Sequence, residues 1–145
     1  MTRLLLATIP LLLGAACSPP AVPSIEVRDA WARATAPGQS SGAIYATLVN
    51  AGGDDDQLIG AAAPVAAMAM LHSNETVNGV ARMRMLPALP VPAEGTVKLE
   101  PGSTHMMLQG LRAPLVAGER VALTLRFAKA GTKAVTATVV APGSR

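Results

Sequence analysis

The chain has 145 residues and a mass of 14.7 kDa, which is enough for one globular domain. Lys and Arg number 12 against 9 Asp and Glu, and Trp, Tyr and Phe occur once each, so the composition excludes a strongly basic nucleic-acid surface and a platform of aromatic residues for base stacking. A single cysteine excludes an intrachain disulfide framework and a thiolate metal cluster, and leaves two histidines and seven methionines as the notable metal-binding residue types.

The N-terminal segment predicts export from the cytoplasm. Arg3 precedes an apolar run over residues 4–13, and small residues follow up to Cys17, a pattern typical of a signal peptide over residues 1–16. The apolar run is too short to span a bilayer as a helix. The sequence Leu-Gly-Ala-Ala-Cys that ends at Cys17 resembles a bacterial lipobox, which predicts that Cys17 is lipidated; cleavage after Ala16 to release a soluble protein is the alternative. We therefore expect a periplasmic protein, which lipidation would anchor to the membrane through a proline-containing tether over residues 17–24.

Short β-prone segments separated by Gly, Pro and Asp turns follow from Ile25 onward and predict a single all-β domain over residues 25–141, with a tail over residues 142–145. No stretch has the periodicity of a long amphipathic helix, and the many short strands favour an antiparallel sandwich or barrel. The acidic run Asp54–Asp56 is predicted to be a solvated turn. The predicted strands are Glu26–Ala32, Gly42–Asn50, Gln57–Ala63, Ala67–Glu75, Val80–Leu86, Thr96–Glu100, His105–Gln109, Arg120–Phe127 and Lys133–Val140.

Both histidines take part in one spaced pattern, His-x10-Met-x21-His-x-Met, which comprises His72, Met83, His105 and Met107. In a strand, His105 and Met107 share a face because successive side chains alternate. Imidazole and thioether donors suit Cu(I), and thioethers cannot be lost to disulfide formation outside the cytoplasm. The structural alternative is that methionines fill the core, and for Met68 or Met106 taken singly we expect a core position.

Other classes of function fit the residues less well. A blue-copper electron carrier needs a cysteine ligand within the domain, whereas Cys17 lies at the processing site. An enzyme is not expected, because there is no Gly-x-Ser-x-Gly motif and neither histidine has an acidic residue beside it.

The spaced pattern and several strand sequences resemble the periplasmic copper chaperones of the PCu(A)C family. The resemblance implies a cupredoxin-like Greek-key β-barrel that holds one Cu(I) through His72, Met83, His105 and Met107. It further implies a monomer that delivers copper to the CuA centre of cytochrome c oxidase, with oxidase subunit II or another copper chaperone as partner. The matching segments are Val27–Arg33, Ala43–Asn50, Asp56–Gly60, Gly79–Arg84 and His105–Leu111.

The chain also departs from the family pattern. Ser73 follows the first histidine and Ala81 stands where a second methionine is common, while Met70 and Met85 share strand faces with the candidate ligands and could assist or shield the ion. The C-terminal residues 141–145 contain neither His nor Met, so we expect one copper per chain. Copper sequestration or resistance is an alternative role, and a lipoprotein that binds no metal and buries the Met/His cluster in its core is another.

Overall fold

The computed structural model describes residues 22–145, so the predicted signal peptide, Cys17 and the first part of the tether lie outside the described residues. Residues 22–145 contain no helix with the length and apolar character needed to cross a bilayer. Within this range the secondary structure consists of ten β-strands: β1 (Ile25–Arg33), β2 (Ser41–Asn50), β3 (Asp56–Ala62), β4 (Ala66–Val77), β5 (Val80–Leu86), β6 (Leu89–Val91), β7 (Thr96–Leu99), β8 (His105–Leu111), β9 (Arg120–Phe127) and β10 (Thr132–Val140).

Seven of these strands close into a barrel in the order β4-β8-β2-β1-β10-β9-β3, and β3 returns to β4 through the pair Ala61 and Ala69. The pairings are antiparallel except for β1 with β10, which run parallel. Strands β5, β6 and β7 add to the outside of the ring on β4, β3 and β2 respectively. The prediction of an all-β, cupredoxin-like barrel is therefore confirmed.

The local sequence accounts for most of the strands. Each predicted strand is present, with its ends shifted by no more than two residues. In β9 the alternation of buried and exposed residues places Val121, Leu123, Leu125 and Phe127 in the core. Strand β6 was not predicted, because Pro90 lies within it; the residue is tolerated there because β6 is an edge strand that pairs only with β3 among the described strands.

The acidic run differs from the predicted solvated turn, because its last residue is buried. Asp56 is 2% exposed and accepts three backbone hydrogen bonds, from the N–H groups of Gln57 at 2.8 Å, Lys129 at 2.9 Å and Ala130 at 2.8 Å. Burial opposes ionisation of this carboxyl, but the three donors and the Lys129 charge outweigh burial and hold the pKa of Asp56 below its ordinary value. Asp56 thus fastens the turn after β9 to the start of β3.

Candidate metal centre

The candidate ligands lie on the face of the β8-β4-β5 sheet that points away from the barrel core. In β8, Met106 and Leu108 are fully buried in the core, so His105 and Met107 point to the opposite face. Cross-strand pairing then extends this face, since residues that pair directly carry their side chains on the same side of a sheet. His72 of β4 pairs with His105 and is therefore its neighbour on this outer face.

The two imidazole rings stand edge to face, with their centroids 6.2 Å apart. A metal lies about 2.0–2.1 Å from a bound ring nitrogen and thus about 3.2 Å from the ring centroid, so the centroids of two rings on one ion lie up to about 6.4 Å apart. The observed separation is thus compatible with one ion between the rings of His72 and His105.

His105 is held in a defined orientation although it is next to the surface. The residue is 6% exposed, and its Nδ1 lies 3.1 Å from the carbonyl oxygen of Ser103. Because a carbonyl only accepts hydrogen bonds, Nδ1 of His105 carries the proton and donates it, which leaves the Nε2 lone pair free for a metal. The Tyr45 ring packs on the other side, with its centroid 6.3 Å from that of His105 and 4.4 Å from that of Trp31.

His72 has an unused ring nitrogen. Its Nδ1 is buried and has no hydrogen-bond partner among residues 22–145, an arrangement that costs free energy unless another ligand satisfies the atom. Burial lowers the pKa of the His72 imidazole below its ordinary value, and the nearby His105 ring lowers it further. His72 therefore favours its neutral form, which is the form that binds a metal.

Both predicted methionine ligands line the same pocket as His105. Met83, His105 and Met107 line this pocket, whose volume is about 240 Å³ and whose opposite wall comes from β2 and the loop before it. Met83 reaches the pocket from β5 and is 52% exposed. The structure thus brings three of the four predicted ligands to one pocket and places the fourth, His72, against His105. Ligation of copper by these four side chains stays a prediction.

The remaining methionines of this region divide between the two faces of the sheet. Met106 is fully buried, as expected. The expectation that Met68 is a core residue is wrong: it is 54% exposed, because it has the same parity along β4 as His72 and pairs with Gln109 on the outer face. Met70 pairs with Met107, and Met85, which is 61% exposed, pairs with His72.

Tyr45 and the Ser103 carbonyl were missed in the sequence. Tyr45 reaches His105 across the long-range pairing of β2 with β8, for which no local motif exists, whereas Ser103 lies two residues before His105 in the turn that precedes β8. Within residues 22–145 there is no cluster of three or more His, Cys, Asp or Glu side chains that could hold a metal. A metal centre at His72 and His105 therefore depends on methionine sulfur, which is a donor for soft ions.

Comparison with known proteins identifies the family to which the chain belongs. A family described as "Putative lipoprotein LpqE-like" matches residues 25–139. The "Putative lipoprotein Lxx21020" of Leifsonia xyli subsp. xyli is 35% identical over 112 residues, a match that spans 77% of this chain and 66% of that protein, slightly less than two thirds of its length.

Solved structures similar to this chain include two that carry copper. The copper-bound PCuAC domain from PmoF2 superposes with a TM-score of 0.70 at 27% identity, over 84% of this chain and 97% of that domain. The solution structure of CuI-DR1885 from Deinococcus radiodurans superposes with a TM-score of 0.62 at 36% identity, over 88% of this chain and 83% of that protein. This chain belongs to the LpqE-like family and has the fold of the PCuAC domains.

Proposed function

We propose that this protein is an extracytoplasmic metallochaperone that holds one Cu(I) ion through His72, Met83, His105 and Met107. The observation that carries the proposal is the juxtaposition of two imidazoles, each with a ring nitrogen free of hydrogen bonds to other described residues, and two thioethers beside them. The copper-bound PCuAC domain and the CuI-bound protein among the similar structures support the same metal and oxidation state.

The chemistry of the donors favours Cu(I) over other ions. Hard cations prefer oxygen ligands, whereas thioether sulfur and neutral imidazole suit a soft ion that accepts low coordination numbers. The alternative that the Met/His cluster is core packing does not suit Met83, because half of its surface is exposed. An exposed neutral ligand also suits transfer, since an acceptor can displace it without moving a proton or a charge.

We propose that the recipient of the copper is the CuA centre of cytochrome c oxidase, on the basis of the family resemblance. We also propose that the mature protein works in the periplasm, held at the membrane by a lipid on Cys17; the names of the family and of the Leifsonia relative support a lipoprotein. The proposed role consists of binding and transfer and includes no catalytic step.

Copper binding is tested by anaerobic titration of the mature protein with Cu(I) against a chromophoric chelator. Cys17→Ser is the background, because a free thiol would itself bind Cu(I). We expect one tight equivalent, and an affinity at least about 100-fold lower after His105→Ala, since loss of a ligand costs more than loss of a supporting group. Met68→Leu is the matched control on the same face and should bind as the parent does. Equal affinity in His105→Ala would contradict the proposed site.

Delivery and sequestration are separated by a second experiment. The Cu(I)-loaded protein is mixed anaerobically with the reduced, copper-free soluble domain of oxidase subunit II, and the copper in each protein is measured after separation. Transfer to the oxidase domain supports delivery. As a control, the same oxidase domain should take copper from a weak chelate. If it does so but the loaded protein retains its copper, the result would contradict delivery and favour sequestration.

A further inference from the structure

The outer face of β4 and β5 carries three thioethers that the proposed site does not use, those of Met68, Met70 and Met85, and of these only Met85 pairs directly with a candidate histidine. On β4, His72 has two direct cross-strand neighbours: His105 on one side, in β8, and Met85 on the other, in β5. Met83 pairs with Asn74 and is therefore diagonal to His72. Directly paired side chains have Cβ atoms about 4.5–5.5 Å apart, whereas diagonal ones are about 7–8 Å apart. Pairing thus places Met85 nearer to His72 than the predicted ligand Met83.

The donors differ strongly in exposure from one side of His72 to the other. His105 is 6% exposed, Met83 is 52% exposed and Met85 is 61% exposed. Strand β5 ends the sheet order, so the described residues place no strand beyond it. Met85 lies outside the pocket formed around His105 and is an apolar side chain left in solvent. Packing in the described domain therefore gives no reason for a methionine at this position.

Cu(I) accepts at most about four donors, which the four proposed ligands already supply, so Met85 is a fifth donor beside His72. Methionine has three rotatable side-chain bonds, so the Met85 sulfur can turn toward an ion at the adjacent imidazole without any movement of the backbone. We infer that Met85 is an exchangeable fifth ligand that draws Cu(I) from the buried side of the site to the exposed edge of the sheet; this inference rests on the proposed function.

The exchange conserves charge and needs no other reactant. The bond between copper and the Met107 sulfur breaks as the bond between copper and the Met85 sulfur forms, and His72 stays bound throughout. Copper remains Cu(I), and no proton or electron moves because both thioethers are neutral. The ion is then held beside β5, where a ligand from an acceptor protein can reach it.

The test compares Met85→Leu with Met68→Leu, because both methionines are exposed on the same face and leucine keeps the apolar volume. Met68 pairs with Gln109 and lies four residues before His72 along β4, so it is away from the candidate ligands. In Met85→Leu we expect Cu(I) affinity to change less than about threefold, while the rate of Cu(I) transfer to a chromophoric chelator falls about tenfold. Met68→Leu should match the parent protein in both measurements. Equal transfer rates in the two variants would overturn the inference.

A second measurement reports on the unmodified side chain. In protein labelled with 13C at the methionine methyl groups, Cu(I) should shift or broaden the Met85 signal together with those of Met83 and Met107, and leave the Met68 signal unchanged. An unmoved Met85 signal in protein that retains Cu(I) would refute this inference alone. Failure of the parent protein to retain Cu(I) would instead refute the proposed function on which the inference rests.

Discussion

Replacement of Asp56 by Asn tests whether the Asp56 carboxylate stabilises the fold by linking the start of β3 to the turn after β9. In the wild type, Oδ1 of Asp56 accepts from the N–H groups of Gln57 and Lys129, and Oδ2 accepts from that of Ala130. Asparagine retains one oxygen but places an N–H group opposite the Ala130 donor. A hydrogen bond to a charged acceptor contributes about 1.5–3 kcal/mol, so loss of one and weakening of two should cost about 2–4 kcal/mol.

The dependence on pH identifies the carboxylate as the cause. Because folding lowers the pKa of Asp56, its stabilisation is fully present above the unfolded value of about 3.9 and is lost as the pH falls through the folded value. Urea denaturation of wild type and Asp56→Asn should therefore differ most near neutral pH, and the difference should shrink progressively as the pH falls below about 4. Asp54→Asn is the control: it removes only an ion pair to Lys129, whose two side chains are 43% and 50% exposed, and should change stability little.

Two results would refute this reasoning. One is an Asp56→Asn variant as stable as the wild type at pH 7. The other is a loss of stability that is the same at neutral and acidic pH, because such a loss would arise from packing and not from the charge.

Further predictions concern the packing behind the metal centre. Leu108→Ala, at a fully buried position beside Met107, should lower the unfolding free energy in urea by about 2–5 kcal/mol; a change of a few tenths would contradict the assigned core. Gly110→Ala should lower the melting temperature more than Gly118→Ala does. Both glycines have positive φ, but an added Cβ at Gly110 would lie 2.8 Å from the Ala67 side chain, whereas nothing lies within 4 Å at Gly118. Equal decreases in melting temperature would contradict this prediction and would show that the β4 backbone at Ala67 shifts at little cost to make room for the added methyl group.

Much of the fold could be predicted because strand alternation is a local signal. Buried Met106 and Leu108 and outward His105 and Met107 follow from period-two alternation along one strand. Turn residues mark where the strands end, which explains why the strand limits agree so closely. The spacing of the two histidines and two methionines is also visible in the sequence, whereas the proximity of these side chains depends on the fold.

The rest depended on pairing between distant segments. The register that sets His72 against His105 arises from pairing between distant strands and leaves no local pattern, whereas the pairing of Met85 with His72 follows from the β4–β5 hairpin with its turn at Asn78 and Gly79. Met68 was misassigned because its apolar side chain predicts burial, whereas its parity along β4 places it outside. Asp56 was misassigned because its three partners include two from residues more than 70 positions away.

X-ray absorption spectroscopy of the Cu(I)-loaded mature protein tests the central claim most directly, because it reports which atoms surround the ion. With Cys17→Ser as background, all sulfur in the first shell must come from methionine. The proposed site predicts a first shell with both imidazole nitrogen and thioether sulfur, from which His105→Ala removes nitrogen and Met107→Leu removes sulfur. A first shell without sulfur, or one unchanged in both variants, would contradict a copper centre at His72, Met83, His105 and Met107.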